Sequence, residues 1–99
     1  MINHLSGVEL NKILSYFGVS EVNLIQCIDA GPDEELYLFQ DGNDNKYGLW
    51  SRDYMSELKY EATGLANDFN IDVKMWLRVK NSEAYTLEKD GNTYAAFVY

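Results

Sequence analysis

Residues 71–80, IDVKMWLRVK, alternate Ile71, Val73, Met75, Leu77 and Val79 with Asp72, Lys74, Trp76, Arg78 and Lys80. Period two predicts a strand with one buried and one wet face, and it leaves a tryptophan among the charges. Elsewhere the period changes. Leu10, Ile13, Leu14 and Phe17 recur at helical spacing behind Ser6 and Glu9, which have the spacing of a capping box, and Gly18 follows as a left-handed stop. A helix over 7–17 is expected. A second stripe, Met55, Leu58, Ala62, Leu65 and Phe69, predicts a helix over 52–68 with Ser51 or Asp53 as N-cap. Gly64 inside that stripe costs about 1 kcal/mol relative to alanine.

The other apolar runs are short. EVNLIQCID (21–29) is rich in β-branched residues and precedes the turn AGPDEE, which favours a strand, with a short helix as the alternative. ELYLFQ (35–40) and KYGLWS (46–51) flank DGNDN as hairpin strands do. A last hairpin, 84–89 and 93–99, turns at Asp90-Gly91. That turn pairs Leu87 with Tyr94, Thr86 with Ala95, Tyr85 with Ala96 and Ala84 with Phe97, so apolar groups fall on both faces. Phe97 and Tyr99 are the expected neighbours of Trp76.

The order is αβββαβββ. Glu9-Leu10 and Glu57-Leu58 lie 48 apart, as do Glu35 and Glu83, and Tyr37 and Tyr85; Asp41-Gly42-Asn43 and Asp90-Gly91-Asn92 lie 49 apart. This spacing raises a tandem αβββ duplication with two halves about a pseudo-twofold axis, an idea that a helix at 21–29 would exclude. The expected class is α+β, an antiparallel sheet with two helices packed on one face.

Ninety-nine residues, 46% of them hydrophobic, suit a single domain over 1–99 with one core. The single cysteine, Cys27, allows no intrachain disulfide and suits a reducing compartment. The N-terminal MINHLSGVEL lacks the pattern of a signal peptide, and no apolar run approaches the roughly 20 residues that cross a bilayer. A cytoplasmic protein without a membrane partner is expected.

Charge is more informative. The net charge is −8, and residues 1–45 hold eight acids against the single base Lys12, or −7. Residues 46–99 hold eight acids and seven bases, or −1, and between Lys12 and Lys46 there is no lysine or arginine. Such a field repels phosphate backbones and attracts basic surfaces, so the expected partner is a basic protein and not nucleic acid. The same acidity would also serve solubility alone.

Catalytic and metal-binding patterns are wanting. His4 is the lone histidine, and Cys27 sits in an apolar run without a nearby base. There is no glycine-rich phosphate loop and no serine beside a histidine–acid pair. In DGNDNKYGLWSRD (41–53), Asp41, Asn43 and Asn45 occupy calcium-loop positions 1, 3 and 5. Lys46 replaces the required glycine, and Arg52 replaces the closing glutamate, so an EF-hand is rejected. Glu57 and Glu61, one helical turn apart, are ordinary for a wet helix face. Neither enzymatic activity nor a metal or cofactor is expected.

The expected contact surface comprises Asp29, Asp33, Glu34, Glu35, Tyr37, Asp41, Asp44, Tyr47, Trp50 and Trp76. Its carboxylates would stand in for phosphates and meet arginine and lysine forks, with the aromatics as anchors. Small, acidic, cysteine-poor and without catalytic residues, the chain is similar in composition to anti-CRISPR and other phage counter-defence proteins, and to immunity proteins that block nuclease toxins. That likeness implies a non-enzymatic inhibitor, a nucleic-acid mimic seated on the basic site of a nucleic-acid-binding enzyme or toxin. The element order also resembles small acidic chaperones of bacterial secretion systems, which are longer and carry a further helix. That likeness implies a homodimer joined through sheet aromatics around Trp76.

Overall fold

The computed structural model describes residues 6–31, 34–53 and 69–99. The first helix, α1 (Gly7–Ser15), begins at the expected capping box: Ser6 accepts from the Glu9 amide, and the Glu9 carboxylate reaches back to Ser6. Past its end, Gly18 takes a left-handed φ of 78°, and the Val19 amide closes onto the Leu14 carbonyl. Three strands follow in a meander: β1 (Val22–Gly31), β2 (Glu34–Asp41) and β3 (Lys46–Asp53). β4 (Met75–Trp76), β5 (Leu87–Lys89) and β6 (Asn92–Val98) complete one antiparallel sheet of order β1-β2-β3-β6-β4, with β5 also paired to β6. The expected segment 21–29 is therefore strand from Val22 on, as its β-branched content favours, with Glu21 in a left-handed bend before it.

The central strands β2, β3 and β6 are buried on both faces, which explains why they read as nearly continuous apolar runs. On one face α1 lays Leu10, Ile13 and Leu14 over Tyr37, Phe39, Leu49, Tyr94 and Ala96. On the other, Leu36, Leu38, Trp50, Ala95 and Phe97 lie beneath Phe69, Ile71 and Val73. Among the described residues α1 covers one face, and Phe69, Ile71 and Val73 cover the other. Most of the second helix expected over 52–68 falls outside the described residues, but its first two positions belong to β3, whose ladder runs through Asp53 to Asn92.

The second half of the chain also departs from expectation. Residues 71–80 do not form one strand. Ile71 and Val73 join the face away from α1, whereas Leu77 and Val79 join the α1 face, and only Met75 and Trp76 form a regular ladder. The Asp90-Gly91 turn forms as read, with φ of 52° and 83°, and Leu87 pairs with Tyr94. Beyond Leu87, however, the hairpin ends. The outer side of β6 is shared, with β5 against Asn92–Tyr94 and β4 against Phe97 and Val98. The Leu77 amide continues the ladder onto the Ala96 carbonyl. Residues 78–86 leave the sheet between these pieces, held by the Val79–Ala84 backbone bond and by the Lys80 amide on the Tyr16 carbonyl. In a duplicated meander β4 would pair with β5. It pairs with β6, so the second half is not a copy of the first.

Trp76 is thereby explained. It is half-buried on the face away from α1, its ring 5.0 Å from that of Phe97, with Tyr99 a further 5.9 Å from Phe97. The tip of the Phe97 ring also packs against Gly48, its register partner, so closely that an added Cβ would overlap Cζ and both Cε atoms.

Candidate protein-binding surface

The register decides which acids share a neighbourhood. β2 is eight residues long, so its ends stand about 23 Å apart at about 3.3 Å per residue. Glu34 and Glu35 begin it, and Asp29 of β1 pairs with Glu35. Asp41 ends it opposite Val22, with Asp44 in the following loop. The expected carboxylates therefore divide between two ends of the sheet and make no single phosphate-like row. Asp33 lies outside the described residues.

Three expected contact residues are interior. Glu35, Tyr37 and Trp50 are 4%, 1% and 6% exposed. Glu35 and Tyr37 are two apart on one strand and so share the α1 face, where the Tyr37 hydroxyl donates to Glu35 Oε2 at 2.8 Å. Cys27 Sγ, on the neighbouring strand, donates to the same oxygen at 3.3 Å. Partial desolvation, then this carboxylate, pushes the Cys27 thiol up to about 11, so it stays protonated and a poor nucleophile at neutral pH. Glu35 is thus a polar knot in the sheet, and its spacing from Tyr37 was the signal for it.

Trp50 is held by two charged neighbours on the other face. Its Nε1 donates to Glu34 Oε2 at 3.4 Å, and the Arg52 guanidinium carbon stands 5.2 Å from the ring centre. Arg52 Nε and Nη1 are buried without a hydrogen-bond partner, so the indole face is a principal compensating contact for this cation. Tyr47 is half-buried against the α1-side cluster. Trp76, on the far edge, is a core neighbour of Phe97. Tyr37 and Trp50 are therefore core, while Tyr47 and Trp76 keep part of their surface in solvent.

The DGNDN loop uses Asp41 internally. Its Oδ1 accepts from the Asn43 and Asn45 amides at 2.9 Å each, and its Oδ2 from Asn45 Nδ2 at 3.0 Å. The Asn45 side-chain bond, followed by backbone bonds, holds the Asp41 carboxyl below its usual range. A depressed folded-state value stabilises the fold above the ordinary carboxylate range, and that contribution is lost as pH falls through the folded value. Asp41→Ala is therefore expected to lower stability at neutral pH, with the gap to the parent closing in acid. Urea titrations of both proteins at neutral and acid pH measure it; an equal gap at both would contradict the assignment.

What remains on the surface is a difference between the two sheet edges. β1 and the segments beside it carry Glu21 and Asp29 with Asp44 nearby, and no base between Lys12 and Lys46. The far side, residues 72–90, carries Lys74, Arg78, Lys80 and Lys89, four of the chain's eight bases, balanced by Asp72, Glu83, Glu88 and Asp90. Its Arg78 donates to the Tyr85 hydroxyl at 3.1 Å and lies over that ring. Leu24 and Ile25 of β1 are about half exposed. Among the described residues no three histidine, cysteine or acidic side chains gather as metal ligands, and no helix is long and apolar enough to cross a membrane. No protein-family model matches the chain, and no match is found among curated proteins or solved structures.

Proposed function

We propose that this α+β domain is a non-enzymatic binding protein whose acidic β1 side docks on a basic protein, and that it acts as an inhibitor of a nucleic-acid-binding enzyme or toxin. The observation that carries this reading is the segregation of charge across the sheet. The edge formed by β1 has no cation, while half of all cations lie on the opposite side. A field of that shape orients a basic partner before contact and raises its association rate. Phage counter-defence and toxin immunity are the inhibitor classes with this chemistry. The rival homodimer through sheet aromatics has less support, because the rings of Trp76 and Tyr99 pack against the buried Phe97.

The test is affinity capture on the immobilised chain, followed by a competition assay on the captured protein. A basic nucleic-acid-binding protein should elute as salt rises, and the free chain should displace nucleic acid from it. Salt-insensitive capture, or capture without displacement, would count against the proposal.

A further inference from the structure

β1 is a sheet edge, and among the described residues no strand pairs with its outer side. Asn23, Leu24, Ile25 and Gln26 are exposed in succession. The pairing with β2 skips Ile25, since Leu24 faces Phe39 and Gln26 faces Leu38. This bulge leaves two consecutive apolar side chains in solvent, Leu24 at 48% and Ile25 at 52% exposure. Edges are normally guarded by shortness, lysine or proline, yet β1 spans ten residues and holds neither residue. A bulge can itself blunt an edge, but here it adds apolar surface, the reverse of what guarding requires. The opposite edge is guarded: it is divided between β4 and β5 and carries the lysines.

Building on the reading that the partner is basic, we infer that β1 accepts an extended segment of that partner as an added strand along Val22–Gln26. The segment alternates lysine or arginine with β-branched residues. Backbone hydrogen bonds hold it, its apolar side chains cover Leu24 and Ile25, and its cations meet Glu21 and Asp29. A second copy of this chain does not fit. Self-pairing centred on Ile25 sets Glu21 opposite Asp29 at both ends, and no other register supplies either acid with a base, because residues 21–31 contain none.

The test titrates the isotopically labelled chain with three synthetic peptides of about eight residues, a usual strand length. One alternates lysine and valine, the second is its alternately N-methylated form, and the third replaces lysine with glutamate. The lysine peptide should shift the amides of 22–26 and slow their exchange, and N-methylation should weaken binding by about tenfold or more, because it removes ladder bonds while keeping charge. Equal binding of the methylated form, or no response at 22–26, overturns strand addition and leaves the basic-partner reading standing. Equal binding of the glutamate peptide overturns both. Dimerisation of the chain alone, abolished by Ile25→Lys in sedimentation, would make a second copy the occupant and overturn the inference.

Discussion

Phe97→Ala is expected to lower the stability of the fold by about 4 kcal/mol, within the range for truncating a buried aromatic ring. Phe97 is fully buried at the meeting of β3, β4 and β6, in contact with Trp76 and Tyr99. The cavity left behind would be floored by Gly48, which has no side chain to move into it, so little of the loss can be recovered by relaxation. Since a domain of this size has about 5–15 kcal/mol in total, the variant should be partly unfolded when warmed. Urea denaturation followed by tryptophan fluorescence measures the change. A shift below about 1 kcal/mol would mean that the ring does not organise this face.

Gly48→Ala should be nearly as damaging, at about 2–3 kcal/mol, although alanine suits an ordinary strand better than glycine does. A methyl group at position 48 would occupy the space of the Phe97 ring, and both residues are fixed in register by the β3–β6 ladder. The two positions should therefore be coupled. Gly48→Ala in a Phe97→Leu background is expected to cost about 1 kcal/mol less than in the parent. Strict additivity in a double-mutant cycle would show that the crowding is relieved elsewhere.

Local signals in the sequence carried the first half of the fold and its last turn. The Ser6–Glu9 box, the Leu10–Phe17 stripe and the turn residues around 41–45 and 90–91 each specify geometry within a few positions, and the structure has all of them. Residues 71–80 show where such signals fail. Their alternation is real, but strand formation depends on which edge of β6 is open, and β5 already occupies part of that edge. The apparent one-faced strand is a path that crosses from one side of the sheet to the other. Two covered faces were foreshadowed by the apolar pairs of the last hairpin, whereas the covering of the second face by Ile71 and its neighbours is a tertiary fact without a local cause.

The proposed binding surface is legible in the sequence as charge and not as geometry. Counting acids found the lopsided half of the chain, but only the β1–β2 register separates Asp29 and Glu34 from Asp41 and Asp44. Tyr37 and Trp50 read as anchors because they are aromatics in the acidic half or beside it. In β2 and β3, both of whose faces are buried, aromatics are core. The exposed pair Leu24–Ile25 has no mark in the sequence, because the bulge that exposes it is set by the register with β2.

The measurement that bears most directly on the account is the affinity of the captured basic partner for a variant carrying Glu21→Gln, Asp29→Asn and Asp44→Asn. With the fold intact by circular dichroism, the affinity should fall by about tenfold or more, with a correspondingly shallower salt dependence. Undiminished affinity in the folded variant would contradict the claim that the acidic side of the sheet is the working surface.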